Sequence, residues 1–195
     1  MAMKARIEQL LGTLFGLVFL GLAGVVTVET VSRKLFNVSL QGADELGGYA
    51  LAVGATLGFS LALLGRAHIR VDVFHDRLPR PVQVVLNWLS VVSLAALALL
   101  LAYLAWFVIQ DSRAYQSVAQ TPWATPLVYP QTAWLIGLIV FGVVALFSAL
   151  RATALLLRGD AAALARDYGP RSTKEEVDEE LEDLKARGTA AEVTR

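Results

Sequence analysis

Residues 10–28 read LLGTLFGLVFLGLAGVVTV, nineteen residues without a charge. A helix needs about 20 apolar residues to cross the ~30 Å hydrocarbon layer of a bilayer, and this run has that length. The pattern returns at 46–64, LGGYALAVGATLGFSLALL, again uncharged. A third run covers 82–109, carries no charge, has Asn87 as the strongly polar group within it beyond Gln83 at its start, and is long enough to tilt. A fourth covers 132–157, with Arg151 as its one charge. Four such runs leave too little polar surface to coat a soluble fold. Barrel strands alternate in polarity, so unbroken apolarity points to helices. The expected fold is an all-α membrane protein. Residues 1–157 form a four-helix transmembrane domain, and residues 158–195 form a charged tail.

Composition agrees. Charged residues make up 17% of the chain, against about 25% in a soluble domain. The formal net charge is zero, which gives no reason to expect a nucleic-acid partner. Cysteine is absent, which removes disulfides, thiolate metal sites and thiol redox chemistry. Lys4 and Arg6 precede the first run as they would in a signal peptide. That run exceeds the usual 7–15 residues and lacks a strong small-x-small site after it, so a retained helix is expected. Gly12-x-x-x-Gly16 and Gly54-x-x-x-Gly58 offer small faces for close helix approach.

The positive-inside rule orients the spans. Lys4 and Arg6, then Arg66, Arg70, Arg77 and Arg80, then Arg151, Arg158 and Arg166 fall on one side. Only Arg33, Lys34 and Arg113 fall on the other. Both termini and the loop at 65–81 are therefore expected in the cytoplasm. The outer side would hold 29–45 and 110–131. Tyr103, Trp106, Tyr115, Trp123, Tyr129 and Trp134 cluster in or beside the latter as an interfacial aromatic belt. Pro122, Pro126 and Pro130 predict an extended rather than helical loop. In the tail, Ser172-Thr173-Lys174-Glu175 fits a capping box, and a short acidic helix is predicted over 173–187.

Residues 65–80, GRAHIRVDVFHDRLPR, hold both histidines. On a helix His68, Asp72 and His75 would share a face, a set that could hold a metal ion. Arg70 and Arg77 lie close to that face and would repel a cation. Val71, Phe74 and Leu78 form an apolar stripe instead, so the segment reads as an amphipathic helix in the headgroup plane. Glu29 and Arg33 stand at i and i+4, a favourable order for an ion pair. Glu45 opens the second span, where a helix dipole favours a carboxylate. The first three runs carry no charge at mid-depth, where ion and proton pathways usually place one. No nucleophile–base pair, phosphate loop or zincin motif occurs. The chain reads as a helper subunit, not an enzyme, with no cofactor or metal expected.

The order of features resembles one family. It runs Arg33-Lys34-Leu35-Phe36-Asn37-Val38-Ser39, then Asp44-Glu45-Leu46, then Gly58. It continues with His68-Ile69-Arg70-Val71-Asp72, Asp76-Arg77-Leu78-Pro79, Thr121-Pro122 and Pro126-Leu127-Val128-Tyr129-Pro130. These pieces, over about 10–155, resemble the small permease subunit of tripartite ATP-independent periplasmic (TRAP) transporters. The resemblance implies a bacterial inner-membrane protein whose partners are a large multispan permease subunit and a periplasmic substrate-binding protein. Transport would be sodium-driven, of organic acids such as C4-dicarboxylates or sugar acids. The small subunit would brace the permease and help dock the binding protein. Arg33 and Glu45 would support the outer junction. Arg66, His68, Arg70, Asp72 and Arg77 would order the inner loop. Pro122, Trp123, Pro126 and Tyr129 would serve docking. The chain departs from the pattern at Gly42-Ala43-Asp44, where many relatives carry an aromatic residue. The rival readings are a non-transport membrane scaffold, or the anchor subunit of a redox complex, which would need haem-ligating histidines at span ends.

Overall fold

The computed structural model describes residues 2–39, 41–65, 77–169 and 181, with side chains from residue 6 onward. Five helices follow in order: α1 Ala2–Phe36, α2 Ala43–Leu64, α3 Arg80–Ala114, α4 Val128–Leu157 and α5 Ala161–Tyr168. The first four are long and apolar enough to cross a membrane. Among the described residues there is no β-strand, only an isolated antiparallel bridge between Val118 and Pro126. The chain is an all-α protein with four membrane-spanning helices. Of the amphipathic segment expected over 66–78, residues 66–76 lie outside the described residues, and Arg77 and Leu78 precede the start of α3. The helix expected over 173–187 also lies outside the described residues, apart from Leu181.

The helices outrun their apolar cores. At 1.5 Å per residue, the 35 residues of α1 and of α3 reach about 52 Å each. The polar turn Glu29–Lys34 lies beyond the apolar run 10–28 and continues α1, in keeping with the helical i, i+4 spacing of Glu29 and Arg33. That leaves 37–42 as the connection. Likewise α3 runs through Asp111 and Arg113, and α4 starts at Val128. Pro130 therefore sits in the first turn of α4, not in an extended loop. A proline is tolerated there because the first N–H groups of a helix lack acceptors anyway.

The tightest pair is α3 with α4. Along α3 the buried positions include Val91, Ala95, Ala98, Ala105, Ile109 and Ser112. Along α4 they include Leu135, Leu138, Gly142, Ala145, Ala149 and Ala152. Both sets follow alternating steps of three and four, a 3.5-residue repeat that keeps one seam facing its partner in a left-handed supercoil. The alanines let the backbones approach, and Trp88 Nε1 donates to Thr153 Oγ1 across the seam at 2.9 Å.

The α2 helix joins this hairpin through α4. A Cβ on Gly137 would collide with the Thr56 hydroxyl, so glycine is what lets α4 close on α2 there. The other face of α2 receives α1. The Phe19 ring covers Gly54, and Phe15 lies 3.6 Å from where a Gly58 Cβ would be. The Gly54/Gly58 face thus accepts rings rather than a second glycine face. Gly12 and Gly16 of α1 have nothing within 4 Å.

The tail begins with a docked helix that the sequence reading did not contain. Gly159, at φ +71°, reverses the chain. Asp160 caps α5 by accepting from the Ala163 amide at 3.0 Å. Leu164 is fully buried, and α5 packs on both α3 and α4. Asp167 pairs with Arg151 at 2.6 Å.

Candidate functional site

Two loops meet at one end of the bundle, the connection 37–42 and the connection 115–127. The second is a narrow hairpin. The Ala119 amide donates to Thr125 O at 2.9 Å, and the Leu127 amide donates to Ser117 O at 3.0 Å. A turn closes its tip, where the Ala124 amide reaches Thr121 O at 2.9 Å. This places Trp123 at the tip, and its ring lies against Gly42 at the start of α2. Any Cβ at position 42 would overlap the indole. The contact locks the α1/α2 half of the molecule to the α3/α4 half.

Beneath it sit two buried carboxylates. Glu29, 7% exposed, accepts from Ser39 Oγ at 2.8 Å. The same hydroxyl accepts from the Gln41 amide at 3.2 Å, so one carboxylate organises the short connection. The ion pair that the spacing of Glu29 and Arg33 offers is not the contact that forms. Arg33 points outward and is exposed. Glu45, also 7% exposed, lies in the first turn of α2, where unpaired amides favour negative charge. Tyr49, one turn on, donates its hydroxyl to Glu45 Oε2 at 3.0 Å. The Thr125 side chain lies against that same hydroxyl. Glu45 Oε1, Thr121 Oγ1 and Gln131 Oε1 are buried without a protein hydrogen-bond partner.

The expected site residues therefore divide. Glu45 is a buried element of the junction, and Arg33 is exposed on α1. Trp123 packs on Gly42 yet remains 46% exposed, and Tyr129 is 71% exposed in the first turn of α4. Pro122 and Pro126 are exposed on the hairpin. Arg77 is exposed just ahead of α3, far along the chain from the junction. Arg66, His68, Arg70 and Asp72 lie outside the described residues. So does the His68/Asp72/His75 set, and among the described residues no three His, Cys, Asp or Glu side chains gather as a metal site.

The sequence reading missed Ser39, Gly42, Tyr49 and Thr125 as junction members. Tyr49 was findable, since it stands at i+4 from Glu45 on the same helix. The Gly42–Trp123 contact spans 81 positions and leaves no local signal. The junction is a closed polar lock that fixes two loops in one geometry and exposes Trp123, Pro122 and Tyr129 on its surface.

No curated protein matches the chain. A family model does: that of the tripartite ATP-independent periplasmic transporters, DctQ component, over residues 22–155.

Proposed function

The chain belongs to the DctQ component family of tripartite ATP-independent periplasmic transporters and is the small membrane subunit of such a transporter, and from that premise we propose that it braces a large multispan permease subunit and helps dock a periplasmic substrate-binding protein. The transport is sodium-driven, and the cargo is an organic acid of the C4-dicarboxylate or sugar-acid class. The chain itself performs no catalysis. The protein lies in the bacterial inner membrane with both termini in the cytoplasm, and residues 158–195 form a cytoplasmic tail.

The observation that carries this reading is the contrast between a rigid junction and an unoccupied helix beside it. Only 6% of the apolar window of α1 is buried within the chain. A brace needs such a helix, with a side left over for another protein. At the junction Arg33 and Glu45 form the partner-facing support, with Glu45 fixed inside and Arg33 presented outside. Pro122, Trp123, Pro126 and Tyr129 form the docking rim. At the other end Arg66, His68, Arg70, Asp72 and Arg77 order the inner loop. The distribution of Lys and Arg supports the orientation.

Two measurements test the proposal. Gentle solubilisation with a tag on this chain, followed by mass spectrometry, is expected to bring down a stoichiometric multispan permease. A chain that comes out alone, or with a redox enzyme, overturns the bracing role. Cysteines introduced at Ser117 and Ser172 are expected to react with an impermeant reagent from opposite sides of the membrane. Labelling from one side rules out the proposed topology.

A further inference from the structure

On the outward side of α3, five residues form one row at helical spacing: Leu99, Tyr103, Trp106, Gln110 and Arg113. The steps of four, three, four and three keep them on one face. All five are exposed: Leu99 45%, Tyr103 60% and Trp106 48%, with Gln110 and Arg113 in the same class. Their order is a polarity gradient, from an aliphatic chain through two amphipathic rings and an amide to a guanidinium. The row extends about 21 Å at 1.5 Å per residue. One leaflet of a bilayer, headgroups included, is about 20–22 Å deep, half of the full 40–45 Å. Each side chain thus falls at the depth that suits it. With Arg113 set at phosphate level, a row of this length puts Leu99 near the midplane and Tyr103 and Trp106 where amphipathic rings prefer to be.

The charge at the end of the row is available. Arg113 has no carboxylate partner among the described residues, and only its backbone carbonyl is engaged, by Gln116 Nε2 at 3.1 Å. The adjoining row on α3 is Leu100, Leu104, Phe107 and Asp111, and it ends in a carboxylate. A phosphate is repelled on that side and attracted on the Arg113 side. Tyr103 is held against Phe107 in an edge-on pair, centroids 4.8 Å apart, which sets the Tyr103 ring as a wall between the two rows. The corresponding outward row of α1 near the junction is Leu20, Gly24, Thr27, Val31 and Lys34, with no ring in it.

We propose that the row Leu99, Tyr103, Trp106, Gln110 and Arg113 seats one phospholipid, its acyl chain along Leu99 to Trp106 and its phosphate on the Arg113 guanidinium with Gln110 beside it. Guanidinium forks match phosphate oxygens in paired hydrogen bonds, and in this setting the bond is charge-assisted. This face of α3 therefore belongs to lipid, and the permease meets a different side of the molecule. The headgroup contact stands on the row alone. The exclusion of the permease from this face rests on the bracing role proposed above.

The test has two parts. First, phosphatidylglycerol is titrated into the detergent-solubilised full chain, and bound lipids are counted by native mass spectrometry. Arg113→Gln is expected to weaken the tightest lipid three- to tenfold, while Lys34→Gln leaves it unchanged. Equal binding by Arg113→Gln and the parent chain overturns the headgroup assignment. Second, the chain has no cysteine, so Leu99→Cys gives a single nitroxide site within it. In vesicles its collision rate with oxygen is expected to be high, and to stay high when the co-purified permease is present. A fall on assembly makes the row a protein interface and overturns the lipid face. Failure to recover any permease removes the second comparison's premise and counts against the bracing role, but leaves the headgroup result intact.

Discussion

Helices α1 and α4 are nearly equal in apolarity, yet 6% of the apolar window of α1 is buried within the chain and 39% of that of α4. Hydropathy measures a helix's fitness for lipid and is silent about its neighbours. The division is made by small residues in register. In α4, Ala145, Ala149 and Ala152 sit on the 3.5-residue seam and pack in one cluster with Val91, Ala95 and Ala98 of α3, while Gly142 faces the Leu99 side chain. In α1, Gly12 and Gly16 face open space, and only Leu11 and Glu29 are buried among the described side chains. A membrane has no hydrophobic drive to bring helices together, so contact follows packing, and packing follows shape.

The largest expected effect comes from setting these two faces against each other. Ala145 is 0% exposed in the seam. Ala145→Leu is expected to cost about 1–3 kcal/mol through overpacking and to lower the melting temperature of the solubilised chain clearly. Gly16→Leu should leave that melting temperature unchanged. Equal losses would break the contrast. A smaller effect sharpens it within the hairpin. Trp88→Phe removes the donor to Thr153 and is expected to cost about 1 kcal/mol. A double-mutant cycle with Thr153→Val checks it, and strictly additive losses would show that the bond couples nothing. The smallest effect is at the foot of the hairpin. Arg151 and Asp167 keep 55% and 23% of their side chains exposed. Arg151→Ala should therefore cost less than about 1 kcal/mol. Melts at low and high salt should converge for the two proteins, since screening removes an exposed pair first.

The four spans were legible in the sequence because uncharged length is a local property. Their ends were less so. Residues 29–36 carry Glu29, Arg33 and Lys34, so the uncharged run stops at Val28, yet a helix can leave the bilayer and keep turning. The α5 helix is only eight residues long and too weakly apolar to stand out. Its signals, Gly159 as a reversal and Asp160 as a cap, were present but were absorbed into a charged tail. At the junction, Glu45 was legible as a helix opener, whereas Trp123 reaching Gly42 was not. The indole of Trp123 fills the place beside Gly42 that a side chain there would have taken.

The packing order bears on biogenesis. Helix α2 leaves the ribosome long before α4, so Thr56 and Ser60, which end up 2% and 0% exposed, first face lipid. Neither hydroxyl has to wait for a partner. Thr56 Oγ1 donates to Val53 O at 2.8 Å and Ser60 Oγ to Thr56 O at 3.2 Å, both within α2 itself. The nascent helix can therefore sit in the bilayer with its polar groups satisfied, and Gly137 can close over Thr56 when α4 arrives without breaking a bond that was made to solvent.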